Sequence, residues 1–156
     1  MDRSVRQFGL VIVCLSAVVA LVGMKDPPPD MERQAVERAV LDYCEAFYDM
    51  KPELLERSVH PELQKFGFFR PTDDKPYKQV PCTYDDLVRL AKVWNKDGRF
   101  GPNARKEVQV MDVLDQTATA KLVGEWGIDY MHLAKYDGKW KIVQVLWQSH
   151  PVSDKS

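Results

Sequence analysis

Asp129 is the side chain of this 156-residue sequence that is best placed for acid–base chemistry. The strand register expected around it puts Asp129 on the same face as Leu133 and Ile142, in apolar company. Because burial disfavours the charged form of a carboxyl group, such a residue can act as a base near neutral pH. The alternative is a structural acid at a strand end near a pocket mouth, bonded to a backbone amide or an arginine.

Two further side chains could polarise a ligand oxygen beside that acid. Tyr43 lies on the apolar stripe of the first predicted helix and could donate a hydrogen bond, although a core tyrosine usually reaches some partner with its hydroxyl. Gln144 falls on the inward face next to Met131, where it could orient a carbonyl group. A buried glutamine needs hydrogen-bond partners in any case, so its presence alone does not indicate a site.

The three histidines do not form a metal-binding pattern. His60 precedes a proline at a predicted helix end, where it could serve as a base at the pocket mouth or simply interact with the helix dipole. His132 is expected on the outward face of the sheet, and neither it nor His150 belongs to a motif such as His-x3-His. We therefore predict no metal and no cofactor.

The composition indicates one globular domain with its own core. Hydrophobic residues make up 45% of the chain and charged residues 29%. The formal net charge of −1 leaves no basic excess to neutralise phosphates, so we expect no nucleic-acid partner.

The segment Tyr136-Asp137-Gly138-Lys139 predicts a tight hairpin, because Asp and Gly tolerate the left-handed backbone that a two-residue turn needs. Pairing Tyr136 with Lys139 then sorts the side chains of the last two strands between two faces. On the inward face we expect Asp129, Met131, Trp140 and Gln144; on the outward face we expect Tyr130, His132, Val143, Val145 and Trp147. Because both faces are apolar, we expect the outward one to form a homodimer.

The preceding chain supplies the elements that cover this hairpin. The spacing of apolar residues predicts a helix from Asp30 to about Met50, with Tyr43 and Phe47 on its apolar stripe. A short helix should follow Pro52. Residues 64–70 and 77–81 suggest a small hairpin. Thr83 should cap a third helix whose stripe includes Trp94. Residues 106–148 then form a four-stranded meander. This order predicts an α+β fold, with a cone-shaped, curved, mostly antiparallel sheet wrapped around three N-terminal helices, a cystatin-like roll.

The first residues resemble an export signal. Arg3 and Arg6 precede an apolar run that ends at Gly23, which predicts a signal peptide or a signal anchor over residues 1–23. Residues 24–30 form a Pro-rich spacer. We expect the protein to be periplasmic or secreted, or held at a membrane if the segment is not cleaved. In an oxidising compartment Cys44 and Cys82 could form a disulfide, or Cys44 could be a small core residue.

Several segments are similar to the nuclear transport factor 2-like superfamily, and most of all to its exported "putative lumazine-binding" group. They are DYMHLAKYDGKWKI at residues 129–142, TATA at residues 117–120, Tyr43-x3-Phe47 and His60-Pro61-Glu62. Polyketide-cyclase-like members are similar too. The resemblance implies a domain over residues 31–150, with a tail at 151–156. Steroid-isomerase-like members pair a tyrosine donor with an aspartate base, but their motif is not present here.

Three functions remain open on these grounds. The first, which we favour, is an exported, non-catalytic homodimer that binds a small apolar ligand in its cone. The second is an acid–base isomerase, cyclase or dehydratase that uses Asp129, and the third is a structural or assembly module with a filled pocket. The expected pocket residues are Tyr43, Phe47, His60, Trp94, Asp129, Met131, Trp140 and Gln144.

Overall fold

The computed structural model describes residues 29–152. The expected export segment (1–23), most of the Pro-rich spacer (24–30) and the end of the tail (151–156) lie outside the described residues. Within the described part, none of the helices combines the length and the apolar character that crossing a membrane requires.

Between residues 29 and 152, three helices precede or interrupt the sheet: α1 (Pro29–Tyr48), α2 (Glu53–Ser58) and α3 (Tyr84–Ala91). The buried positions of α1 recur with helical spacing, so that one stripe of the helix faces the core. The predicted stripe is confirmed, including Tyr43 and Phe47. The predicted cap of α3 is confirmed as well. The Thr83 hydroxyl accepts from the Asp86 N–H (3.2 Å), and the Thr83 N–H donates to the Asp86 carboxylate (2.9 Å).

The described part of the chain contains six strands, which form one sheet in the order β2-β1-β6-β5-β4-β3. Their bounds are β1 (Val59–Phe69), β2 (Lys78–Cys82), β3 (Lys106–Val113), β4 (Thr117–Gly124), β5 (Gly127–Tyr136) and β6 (Lys139–Gln148). Every neighbouring pair is antiparallel except β1 and β6, which run parallel. The α+β class, the small hairpin and the four-stranded meander are therefore confirmed.

The turn between β5 and β6 has the predicted geometry. Asp137 (φ 49°) and Gly138 (φ 74°) both adopt the left-handed conformation that a two-residue hairpin loop requires. Tyr136 pairs with Lys139 and Leu133 with Ile142, as expected. Near the turn, the predicted register is correct.

Beyond Ile142 the predicted register is wrong, because β6 contains a β-bulge. The extra residue is Val143, so that His132 pairs with Gln144 and Met131 with Val145. A one-residue insertion moves every later side chain of the strand to the opposite face.

The bulge corrects three expected positions. Gln144 lies on the outer face, where its Oε1 is 2.7 Å from Nδ1 of His132. Val145 is fully buried on the inner face and belongs to the core. Trp147 also turns inward and lines a cavity.

A glycine on the neighbouring strand makes room for the inward-facing tryptophan. Gly67 of β1 pairs with Trp147 of β6. A Cβ atom at Gly67 would lie 2.4 Å from Cδ1 of the Trp147 indole and 2.1 Å from its carbonyl oxygen. The indole therefore rests directly against the backbone of β1, and no larger residue at position 67 permits this arrangement.

Candidate functional site

A cavity of about 290 Å³ opens between β2, α3 and one end of the inner face of the sheet. Most of its lining is aromatic or aliphatic. The lining residues are Tyr43, Phe47, Lys65, Val80, Pro81, Cys82, Asp86, Leu87, Leu90, Trp94, Trp126 and Trp147.

The aromatic walls of the cavity pack against one another mainly edge to face. Tyr43 and Phe47 lie one turn apart on α1, with ring centroids 5.2 Å apart and planes at 81°. Trp126 occupies the turn between β4 and β5, and its ring lies 5.7 Å from Phe47 and 6.0 Å from Trp94. Such edge-to-face contacts are favourable, so they hold the walls in place around the open volume.

The base of the cavity is a buried ion pair. Lys65 Nζ donates to Asp129 Oδ1 at 2.8 Å and to the Tyr43 hydroxyl at 2.7 Å. The second carboxylate oxygen of Asp129 accepts from Trp126 Nε1 at 2.6 Å. The Lys65 side chain is 7% exposed and that of Asp129 is 0% exposed.

The ammonium group of Lys65 also lies over the Trp147 ring, with its Nζ 5.3 Å from the ring centroid. Cation–π attraction strengthens when both groups are shielded from water. Lys65 is thus held between an anion, a hydroxyl group and an indole ring, at a fixed point on the cavity wall.

Burial keeps two further ionisable groups of the site, Tyr43 and Cys82, in their protonated form. Burial, and then the charge of Asp129, raise the pKa of Tyr43 well above its usual value, so that its hydroxyl keeps its proton. Burial likewise raises the pKa of Cys82, which lines the cavity as a thiol. The carboxyl group of Asp86 is engaged by the Thr83 cap and by Arg89.

Asp129 is buried as the sequence predicts, but it is not positioned as a free base. It does not line the cavity, and each of its oxygens already accepts a hydrogen bond. Its partners are a lysine and an indole, whereas the structural alternative foresaw a backbone amide or an arginine. Within the described chain, its role is to hold Lys65 and Trp126.

The structure brings together only some of the expected pocket residues. Tyr43, Phe47 and Trp94 line the cavity. Met131 and Trp140 do not, because they are buried elsewhere in the core, where Trp140 Nε1 donates to Glu32 at 2.7 Å.

The two remaining residues of that expected set also lie away from the cavity. His60 stacks on Tyr136 at a centroid distance of 4.6 Å, close to the β5–β6 turn. Gln144 is on the outer face for the reason given above. The cavity therefore occupies one end of the inner face, while the protein's own side chains fill the rest.

Sequence reasoning missed Lys65, Trp126 and Cys82, and assigned Trp147 to the wrong face. Alternation along β1 favours Phe66 and Phe68 as core residues, yet both are exposed and Lys65 faces inward instead. The signal that could have identified Lys65 is the parallel pairing of β1 with β6, which puts Lys65 beside the buried Val145. That pairing joins distant parts of the chain, and no local pattern reveals it.

The outer face of the sheet carries an exposed apolar cluster. Phe66, Leu146 and Tyr130 are direct neighbours across β1, β6 and β5, and are 38%, 43% and 48% exposed. His132 lies on the same face, and Val143 is the bulged residue. The face predicted for a homodimer is thus apolar, but Leu146 and Phe66 stand where Val145 and Trp147 were expected.

Cys44 and Cys82 are both free thiols in the structure. Burial raises the pKa of Cys44 to about 12. Among residues 29–152, no three or more His, Cys, Asp or Glu side chains gather as a metal site would need.

Comparison with known proteins agrees with this architecture. A family model described as "putative lumazine-binding" matches residues 31–148. An NTF2-like protein of unknown function from Shewanella baltica OS155 is 18% identical, with a TM-score of 0.60 over 81% of this chain and 99% of its own. An NTF2-like protein of unknown function from Silicibacter pomeroyi DSS-3 is 12% identical, with a TM-score of 0.60 over 80% and 100%.

A third structure, named as a "putative scytalone dehydratase" from Novosphingobium aromaticivorans DSM 12444, is 15% identical, with a TM-score of 0.53 over 81% of this chain and 96% of its own. At such identities the likeness shows a shared fold and nothing about chemistry. No curated protein matches the chain.

Replacing Lys65 by Met should lower the free energy of unfolding by about 3–5 kcal/mol, because it leaves the buried Asp129 carboxylate unpaired. The double variant Lys65→Met/Asp129→Asn should lose less than Lys65→Met alone, since neither charge then remains in the core. Urea unfolding measures both.

The matched control is Lys75→Met, which breaks an exposed ion pair with Asp74 and should have no measurable effect. A loss below about 1 kcal/mol for Lys65→Met would show that this pair is not the buried base of the site.

Proposed function

The chain belongs to the "putative lumazine-binding" family of nuclear transport factor 2-like proteins, and on that premise we propose that it binds a small, flat, largely apolar molecule without transforming it. One observation carries the proposal: a cavity of about 290 Å³ stays open inside aromatic walls above a fixed cation. Ligand pockets usually measure about 300–1,000 Å³, so the site suits a small ligand.

Maintaining this volume comes at a cost in stability that a purely structural module has no reason to bear. Apolar surface that stays in contact with water forgoes about 25 cal/mol of burial free energy per Å². Three of the chain's four tryptophans nevertheless surround the cavity without filling it. A ligand would bury this surface, which supports a binding function over a filled module.

The lining supports binding rather than acid–base turnover. A general base must reach a substrate proton, and both oxygens of Asp129 are occupied behind the cavity wall. The Tyr43 hydroxyl and the Cys82 thiol keep their protons because burial raises the pKa of each. The groups that line the cavity therefore hold and orient a molecule.

We also propose that the protein is a homodimer through the outer face of the sheet. The cluster of Phe66, Leu146 and Tyr130 forms a contiguous exposed apolar surface on three adjacent strands. Surfaces of this kind on soluble proteins usually mark a contact with another molecule. A second copy of the same sheet offers a surface of matching character, as two-fold assemblies require.

We also propose that the protein is exported, on the basis of its sequence alone. Arg3, Arg6 and the apolar run to Gly23 have the layout of a secretory signal. The full chain expressed in a bacterium should appear outside the cytoplasm, shortened at its N-terminus. Intact-mass measurement of the exported fraction checks this; full-length protein confined to the cytoplasm would contradict it, and full-length protein in the membrane would indicate an anchor.

Leu90→Trp should weaken ligand binding at least about tenfold, because Leu90 is a partly exposed lining residue and an indole there would occlude the opening. The probes are naphthalene, indole, coumarin and lumazine, each titrated by ligand-observed NMR. Val93→Trp is the matched control, since Val93 is exposed near the end of α3 and does not line the cavity. If no probe binds the unchanged protein, the binding function is wrong.

Leu146→Arg should convert the dimer to monomers in sedimentation velocity, because it places a charge in the centre of the apolar cluster. Leu114→Arg is the matched control: Leu114 is also exposed, but it lies in the turn between β3 and β4. An unchanged mass for Leu146→Arg, or a monomeric unchanged protein, would contradict the dimer.

A further inference from the structure

Building on the proposed binding function, we infer that the ligand is a neutral, flat aromatic compound with a carbonyl oxygen, and that Lys65 donates a hydrogen bond to that oxygen. Three features of the cavity support this assignment: the shape of its walls, the donors left free at its base, and the charge balance there.

The walls favour a flat ring system. Phe47, Trp94, Trp126 and Trp147 contribute rings to the lining, and Leu87 and Leu90 add aliphatic surface. Aromatic rings stack on a flat ligand or meet its edge, and both arrangements are favourable. A ligand body without polar groups suits this part of the cavity, because a polar atom buried there would lose its hydration with no partner.

The base of the cavity offers donors rather than acceptors. An ammonium group has three N–H bonds, and Lys65 uses one for Asp129 and one for Tyr43. The Tyr43 hydroxyl accepts from Lys65, and no acceptor for its own proton is found among residues 29–152. A ligand oxygen placed beside Lys65 would therefore meet two available donors.

Two indole groups of the lining strengthen the case for an acceptor. The Nε1 atoms of Trp94 and Trp147 are buried, and neither has a hydrogen-bond partner within the described part of the chain. Buried donors are nearly always paired in folded proteins, so each exception calls for an explanation. Both indoles belong to residues that line the cavity, so among residues 29–152 the unpaired buried side-chain groups of this wall are donors and none is an acceptor.

Charge balance favours a neutral carbonyl over a carboxylate. The positive charge of Lys65 is already matched by Asp129 at 2.8 Å. An anionic ligand would bring a second negative charge to a site where Lys65 is the one cation among the lining residues. Burying an unmatched charge is strongly unfavourable, whereas a neutral carbonyl accepts from the ammonium group without upsetting the balance.

Three bicyclic probes of similar size separate these properties: chromone carries a neutral carbonyl, naphthalene has no acceptor, and 1-naphthoate carries an anion. Dissociation constants come from ligand-observed NMR titrations of the full chain. We expect chromone to bind at least about tenfold more tightly than the other two, as a hydrogen bond from a charged donor implies.

The variant Lys65→Met/Asp129→Asn removes the donor without leaving a lone buried charge. In this variant chromone should bind no more tightly than naphthalene, because the carbonyl oxygen has lost its charged donor. Lys121→Met is the matched control, because Lys121 lies over Tyr130 on the outer face, and it should keep the full difference. If the double variant does not fold, Tyr43→Phe replaces it, because this substitution keeps the aromatic ring and removes one hydrogen-bond donor. Chromone should then bind roughly threefold or more weakly than to the unchanged protein.

The outcomes distinguish this inference from the binding function itself. Equal affinity for naphthalene and chromone, a preference for 1-naphthoate, or a preference for chromone that survives in the folded double variant would overturn the inference and leave a binding cavity. If none of the three probes binds, the inference is overturned, and the binding function falls with it when indole, coumarin and lumazine fail too.

Discussion

The buried contact between Lys65 and Asp129 determines how the rest of the site is built. It joins β1 to β5 across the intervening β6, and through Tyr43 it reaches α1. A buried ion pair offsets its desolvation only when the remaining donors and acceptors are also satisfied. Asp129 meets this condition through Trp126, so the same pair that fixes the base of the cavity also fixes one of its walls.

The ion pair also explains why the open volume lies where it does. Elsewhere on the inner face, Met131, Leu133, Ile142 and Trp140 pack as an ordinary core beneath α1. Near Lys65 the inner face is lined by aromatic side chains, and the lack of a Cβ atom at Gly67 lets the Trp147 indole lie against β1. The fold thus divides one continuous inner face into a filled half that supplies stability and an open half that can supply function.

Residues close together in the sequence were enough to predict the helices, the cap of α3 and the β5–β6 turn. Pairing between distant strands decides which face each strand residue occupies, and the sequence alone did not reveal that pairing. The α1 stripe, the Thr83–Asp86 cap and the Asp137–Gly138 turn depend on residues within a few positions of one another, and all three were predicted. The bulge at Val143 leaves no comparable mark, yet it reverses the faces of Gln144 to Trp147.

Lys65 was missed for a similar reason, since only the parallel partner strand turns it inward. The pocket set from sequence therefore kept Tyr43 and Phe47 on α1 and Trp94 just after α3, and lost most of the residues on strands. Helix residues keep their face over many turns, whereas one inserted residue reverses the faces of a strand.

The most direct measurement of the central claim, that a flat ligand binds between these aromatic walls, is an NMR spectrum of the indole N–H groups during titration with a flat aromatic ligand. The signals of Trp94, Trp126 and Trp147 should shift while that of Trp140, bonded to Glu32 in the filled half, stays in place; an equal shift of Trp140, or no shift among the other three, would contradict the account.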